Sequence, residues 1–464
     1  MENTFSPFIG QLLLSSTTGI LTCALFLVCR SGQFQSFLYE FLKFGRTSSS
    51  RFGVLVHSAI KDGYYKQNKN GGYFSVKAPH ADYLIIPPKF VDFVKNLPES
   101  KVTFQGDVED SNLAPYTSLG YHLDIVAKST RTDLTKHLGG IILDLLDETK
   151  YALLTELPDC DKEWIPIKPF HNILRIISLV SGRVFVGPEL NRNEAYIEST
   201  VNYTTSSMMA AFAQRLAAKA AGLEPINDML TWNMHNVPKR DPSVIAAAQL
   251  LIAFAAIHTT SNQLTNMLYD LATHPEYHEP LRLEIEEVLA SESDHALSKG
   301  SLPKLRKLDS FMKESQRLYP PALLSITRRV NSPIELPDGR VLQKGSYFAV
   351  ANSQICRDPE IFENPDDFDM FRFERMRSKQ GEEHKYQFVT TSLETMAFGH
   401  GAHACPGRFF AGNEIKMIMV EFLRGYEVRL PPGAERPSTV MHGSNCAVST
   451  TAEILIRKRA WSEL

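Results

Sequence analysis

Apolar residues follow two spacings along this chain, and the spacings divide it. From about Asp133 to Ser293 they recur every three or four positions, the period of an amphipathic helix. The longest such run, SVIAAAQLLIAFAAIHTTSNQLTNMLYDLATH, goes from Ser243 to His274 without a breaker. Asp241-Pro242 opens it as a start signal and Pro275 closes it. At the helical rise per residue this predicts a rod of roughly 45 Å. Gln249 and His258 interrupt its apolar character, so it is expected to run buried through the body rather than across a bilayer. NEIKMIMVEFL, Asn413 to Leu423, predicts a further helix.

Strand-type runs occupy the flanks. YFSVKAPHADYLIIPP, Tyr73 to Pro88, holds short ones. SPIELPDGRVLQKGSYFAV, Ser332 to Val350, holds more around an Asp338-Gly339 hairpin turn. No internal repeat or low-complexity tract is visible. The expectation is a mainly α protein with a small β subdomain.

The N-terminus carries the targeting signal. FIGQLLLSSTTGILTCALFLVC, Phe8 to Cys29, is long enough to cross a bilayer as one helix, diluted by Ser15, Ser16, Thr17 and Thr18. Glu2 precedes it, whereas Arg30, Lys43, Arg46 and Arg51 follow, which places the body in the cytosol. A cleaved signal peptide normally begins with a basic region, and no Lys or Arg precedes this run. Residues 1–30 are therefore read as a membrane anchor, 31–62 as a polar linker and 63–464 as the functional body. For a cytosolic body the sequon Asn202-Tyr203-Thr204 has no consequence.

Composition removes some function classes. A formal net charge of −3 over 464 residues gives no reason to expect a nucleic-acid partner. Six scattered cysteines without a C-x-x-C pair suit neither a disulfide framework nor a zinc ribbon.

One cysteine stands apart. In FGHGAHACPGRFFA, Phe398 to Ala411, Cys405 lies among glycines just before a helix start. Free N–H groups and the helix dipole favour a thiolate there. Gly401 and Gly407 would let the backbone approach something flat or bulky. A buried structural cysteine is the bland reading. A zinc site from His400, His403 and Cys405 lacks a fourth ligand. GHGAHA formally fits a dinucleotide loop, yet TTSLETMAF before it is no strand, and the acidic residue at the right distance, Glu421, lies inside the helix.

Phe398, Gly401, Cys405 and Gly407 also stand at F-x-x-G-x-x-x-C-x-G, which resembles the cysteine-ligand loop of the cytochrome P-450 family. The resemblance extends from about Gly63 to Arg459. It implies the family fold and haem b, with Cys405 as axial ligand, Phe398 on the proximal side, and His403 where an Arg often meets a propionate. KESQRLYPP supplies Glu314 and Arg317, and FDMFRF supplies Arg372; together they resemble the family's structural E-x-x-R plus Arg triad. Alone, such an i, i+3 pair is usually a solvated surface pair. Arg329 lies where the family often places another propionate contact.

AAIHTTS, Ala255 to Ser261, resembles the oxygen-activation segment, with Thr259 as the proton-delivering threonine. Ala256 replaces the usual Gly. His258 replaces the usual acid, and imidazole can relay protons near neutral pH. Alone, a mid-helix His is more often a hydrogen-bonded core residue.

The wording of HACPGRFFA and SGRVFVGPEL looks most like filamentous-fungal members that oxidise terpenoids or related secondary metabolites. The resemblance therefore implies a monooxygenase in the endoplasmic reticulum membrane. It would act on an apolar substrate with NADPH-cytochrome P-450 reductase, and cytochrome b5 as a second candidate partner, since no flavin or nicotinamide motif is present. A non-oxygenating haem-thiolate isomerase or dehydratase, or an inactive haem binder, is the alternative. Two features depart from the family. No W-x-x-x-R occurs in the early helix, and Tyr203 to Trp232 is short for two lid helices.

Overall fold

The protein is represented by a computed structural model, which describes residues 49–459 apart from 79, 113, 115–119, 203–227, 238–240 and 293–295. The anchor, most of the linker, the sequon's Tyr203-Thr204 and nearly all of the short lid stretch lie outside the described residues.

The central element is the helix Pro242–Thr273, 32 residues or about 48 Å. The Asp241 carboxylate caps it by accepting from Ser243 N at 2.9 Å, and Pro242 takes the first position. From Thr260 to Ala272 every side chain is buried. Among the described residues this is the one helix long and apolar enough to cross a membrane, and 56% of its most apolar stretch is buried within the protein.

Helices Pro169–Phe185 and Arg408–Gly425 pack on it, and Thr135–Glu156 packs on both of those. Leu145, Ile176, Ile177, Leu264, Met267 and Met417 join in one apolar core. Three strands, Ile165–Ile167, Ile454–Lys458 and Tyr426–Arg429, close one side as an antiparallel sheet.

A second apolar core lies under a five-stranded sheet. Its order is Phe74–Lys77, Asp82–Ile85, Tyr347–Val350, Ser325–Val330, Val102–Thr103, with the second and third strands parallel. The Asp338-Gly339 turn joins two short antiparallel strands, with Gly339 at φ +86°. The architecture is mainly helical with small sheets, as expected.

The linker boundary needs correction. Ser49–Gly63 is a helix, and its Val56 and Ile60 are buried in the second core beside Tyr64. Ser58, Lys61 and Asp62 lie exposed on it, beside the apolar Val54 and Leu55. The packed body therefore begins before Gly63.

Candidate active site

Between the central helix and the loop before Arg408–Gly425 lies a cavity of about 530 Å³. One wall is Leu251, Ala255, Thr259 and Gln263, four positions apart on one helical face. The facing wall is Phe398, Gly399, Cys405, Pro406 and Gly407. Leu324, Ile326, Arg328, Val126, Thr130 and Leu134 complete the lining.

The loop is held by its own backbone. Cys405 N donates to Phe398 O at 2.7 Å, and the Arg408 guanidinium donates to Cys405 O at 2.8 Å. The N–H groups of Gly407 and Arg408 point at the cysteine sulfur and lower its pKa, as a helix start should. Burial outweighs them, so the thiol's pKa lies above its ordinary value. The Arg408 charge acts with those N–H groups and does not reverse the balance; a metal cation bound at the sulfur would.

The two glycines have separate reasons. Gly401 adopts φ +79°, and a Cβ there would stand 2.6 Å from Lys95 O. Its freedom serves the close approach of Lys95, not of a ligand, and Gly401 is absent from the cavity wall. Gly407 does face the cavity, where a Cβ would meet only Thr130 Cγ2 at 3.6 Å. His400 bonds Thr391 Oγ1 through Nδ1 at 3.0 Å, and His403 Nε2 lies 3.7 Å from Glu99. Among the described residues no three His, Cys, Asp or Glu side chains converge on a metal site, so the zinc reading finds no support.

Glu314, Arg317 and Arg372 form one buried network. Glu314 accepts from Arg317 Nε and Nη2, both at 2.8 Å, and from Arg372 Nε at 3.0 Å. The remaining guanidinium donors reach the carbonyls of Cys356, Pro365, Glu363 and Asn364. The surface-pair alternative is thereby excluded.

Arg329 is not where a cofactor contact should be. Its guanidinium binds Asp110 at 2.6 Å, away from the cavity, and Asp110 also accepts from Tyr347. Arg328 takes the inward position. The register of this strand shifts between Ser325 and Arg328, and Ile326 sits at φ +50°, unusual for a β-branched residue. Such a bulge re-aims the side chains that follow it, and sequence alternation cannot see it. Arg328 is 3% exposed, its Nε has no partner, and burial pulls its pKa down to about 10. Burial, then the Arg328 charge, lowers the pKa of His403; Arg131 acts in the same sense.

On the central helix, the Thr259 hydroxyl donates to Ala255 O at 2.5 Å, leaving its lone pairs free. His258 does not line the cavity. Its ring lies 5.3 Å from that of Phe254, and burial lowers its pKa.

These features fit a haem. The cavity offers one soft thiol, apolar walls from Phe398, Leu251 and Ala255, and buried donors without partners, Arg328 Nε and Thr130 Oγ1, for anionic propionates. Residues 185–454 match the family model described as Cytochrome P450. The chain belongs to the cytochrome P450 family. It is 38% identical to Cytochrome P450 monooxygenase BOA4 of Botryotinia fuckeliana over 87% of this chain and 89% of that one. It is 35% identical to Cytochrome P450 monooxygenase prx8 of Penicillium rubens, over 88% and 83%. The crystal structure of the cytochrome P450DA heme domain shares the fold, with TM-score 0.62, 14% identity, and 84% and 90% of the chains covered. The enzyme is thus a P450 monooxygenase, and membership implies a haem-thiolate iron, a redox partner and a small-molecule substrate.

Arg328, Thr130 and Gln263 were missed in the sequence. Gln263 alone left a signal there, lying one turn beyond Thr259 on the same face.

Proposed function

We propose that this P450 holds haem b through Cys405 and inserts one oxygen atom of O₂ into an apolar secondary metabolite of terpenoid type. The observation that carries this is Cys405 facing Thr259 across an apolar cavity, the cysteine among described cysteines that lines it. A thiolate-bound haem supplies O–O cleavage, because the sulfur donates electron density. The chain's residues do the rest. Phe398 packs at 5.4 Å from Phe388 and keeps water from the sulfur side. Arg328, His403 and Thr130 would receive the propionates. Ala255 and Ala256 would leave room beside a bound cofactor, and the Thr259 hydroxyl, its own proton on Ala255 O, would accept a hydrogen bond there. Glu314, Arg317 and Arg372 keep the surrounding loops in place.

Electrons come from NADPH-cytochrome P-450 reductase, with cytochrome b5 as a further donor. Residues 1–30 anchor the enzyme in the endoplasmic reticulum membrane with its body in the cytosol. The fungal relatives support a place in secondary metabolism. The position of His258, outside the cavity wall, favours a second reading, a non-oxygenating haem-thiolate isomerase or dehydratase.

The deciding experiment is the CO complex of the reduced protein. A red-shifted Soret band is expected, and Cys405→Ser should abolish it together with oxygenation. Protein from haem-replete cells that carries stoichiometric zinc and no haem overturns the assignment. Reductase-dependent oxygenation of a terpenoid separates the monooxygenase from its rival.

A further inference from the structure

The cavity leaves a third unpartnered polar side chain. Gln263 is 5% exposed and lines the cavity, yet neither its amide nitrogen nor its oxygen has a partner. Buried amides without hydrogen bonds are costly, and interiors rarely tolerate them. The other two orphans gather at the cysteine loop: Thr130 beside Gly407, and Arg328 beside His403. Gln263 belongs to the opposite wall, one turn beyond Thr259 and away from the cysteine loop. Its neighbour Asn262 faces away, donating to Cys446 O and accepting from Val448 N. The helix thus spends one amide on its own fold and turns the next into the cavity.

We infer that Gln263 binds an oxygen function of the substrate, so that the molecule oxidised already carries a hydroxyl or carbonyl group. This rests on the monooxygenase reading and narrows its substrate class from hydrocarbon to oxygenated terpenoid. A primary amide offers one donor face and one acceptor face. A hydroxyl satisfies both; a carbonyl satisfies the donor. Neighbours at i, i+4 lie about 5–6 Å apart, so the contact would pin that oxygen about one helical turn from the Thr259 hydroxyl. The site of oxidation would then be set by its distance from an existing oxygen.

Calorimetric titration with 1-adamantanol and adamantane tests this, because the two differ only in one hydroxyl. The purified haem-loaded enzyme should prefer the alcohol, relative to Gln263→Leu, by about tenfold, since a site built to hydrogen-bond rejects the analogue that lacks the group. Gln263→Met provides the same comparison should the Leu variant not fold. Equal discrimination in wild type and variants, the outcome expected if water alone satisfies the amide, overturns the inference. Heat detection needs no chromophore, so the two readings fail separately. A normal CO band with no change in discrimination sinks the contact alone. A changed discrimination without the CO band leaves the contact and sinks the monooxygenase.

Discussion

Two buried polar regions of this P450 are built on opposite terms. Around Glu314 every charge finds its partner within the chain: two guanidinium groups share one carboxylate, and spare donors end on backbone carbonyls. Around the cavity, Arg328 Nε, Thr130 Oγ1 and the Gln263 amide are equally buried and have none. Desolvation penalises both regions alike. The difference teaches what each is for. Here the region that closes its own hydrogen bonds holds the fold, and the open one lines the cavity.

The sharpest break of that contrast is at Glu314. Glu314→Ala leaves two arginines buried without a counter-charge, at a cost of about 3–5 kcal/mol. Purified Glu314→Ala should contain little haem and melt well below wild type. Full haem content at unchanged melting temperature would show that the network does not support the fold.

The adjacent arginines come next. Arg328→Met removes a charged donor worth about 1.5–3 kcal/mol, so haem transfer to apomyoglobin should quicken at least tenfold. Arg329→Met breaks a partly exposed pair with Asp110, worth about 1 kcal/mol at most. Haem retention there should stay near wild type. The reverse order would restore Arg329 as the cofactor contact that the family resemblance implied.

A smaller effect concerns coupling. Thr259→Ala should leave haem content intact and divert NADPH to peroxide, because its hydroxyl faces the cavity. His258→Ala should keep coupling near wild type, since its ring packs on Phe254 outside the wall. Equal uncoupling in both would bring His258 into proton delivery.

A pH-dependent test concerns a half-closed case. Glu414 accepts from Ser181 Oγ at 2.6 Å, but its other oxygen has no partner, and burial raises its pKa from 4.5 to about 8. The folded chain therefore keeps a proton that the unfolded chain has released. The stability from this group is full below about pH 4.5 and is lost as pH rises through 8. Glu414→Gln should erase that slope, so its melting temperature should gain on wild type between pH 5 and 8.5. A constant difference would mean that the carboxyl does not titrate in that window.

Much of this was legible in the chain's own order. The uninterrupted spacing of Ser243–His274 determined the central helix, because periodicity and its Asp-Pro start are local properties. The Asp338-Gly339 turn was local for the same reason. Cys405 stood out by its glycines and the helix start, and Thr259 through the resemblance of AAIHTTS to the family's oxygen-activation segment. Tertiary structure decided what depends on facing. A register shift at Ile326 exchanged Arg329 for Arg328, and pattern alone cannot register a single inserted residue. Gly401 proved to clear Lys95 rather than a ligand, because the strand-side loop arrives from 306 residues away in sequence. Gln263 and Asn262 are neighbouring amides of the same chemistry. One is consumed by the Cys446 loop and the other is left over, and only packing decides which. A side chain's type is set by its codon, but whether its hydrogen bonds are already filled depends on every segment that folds against it.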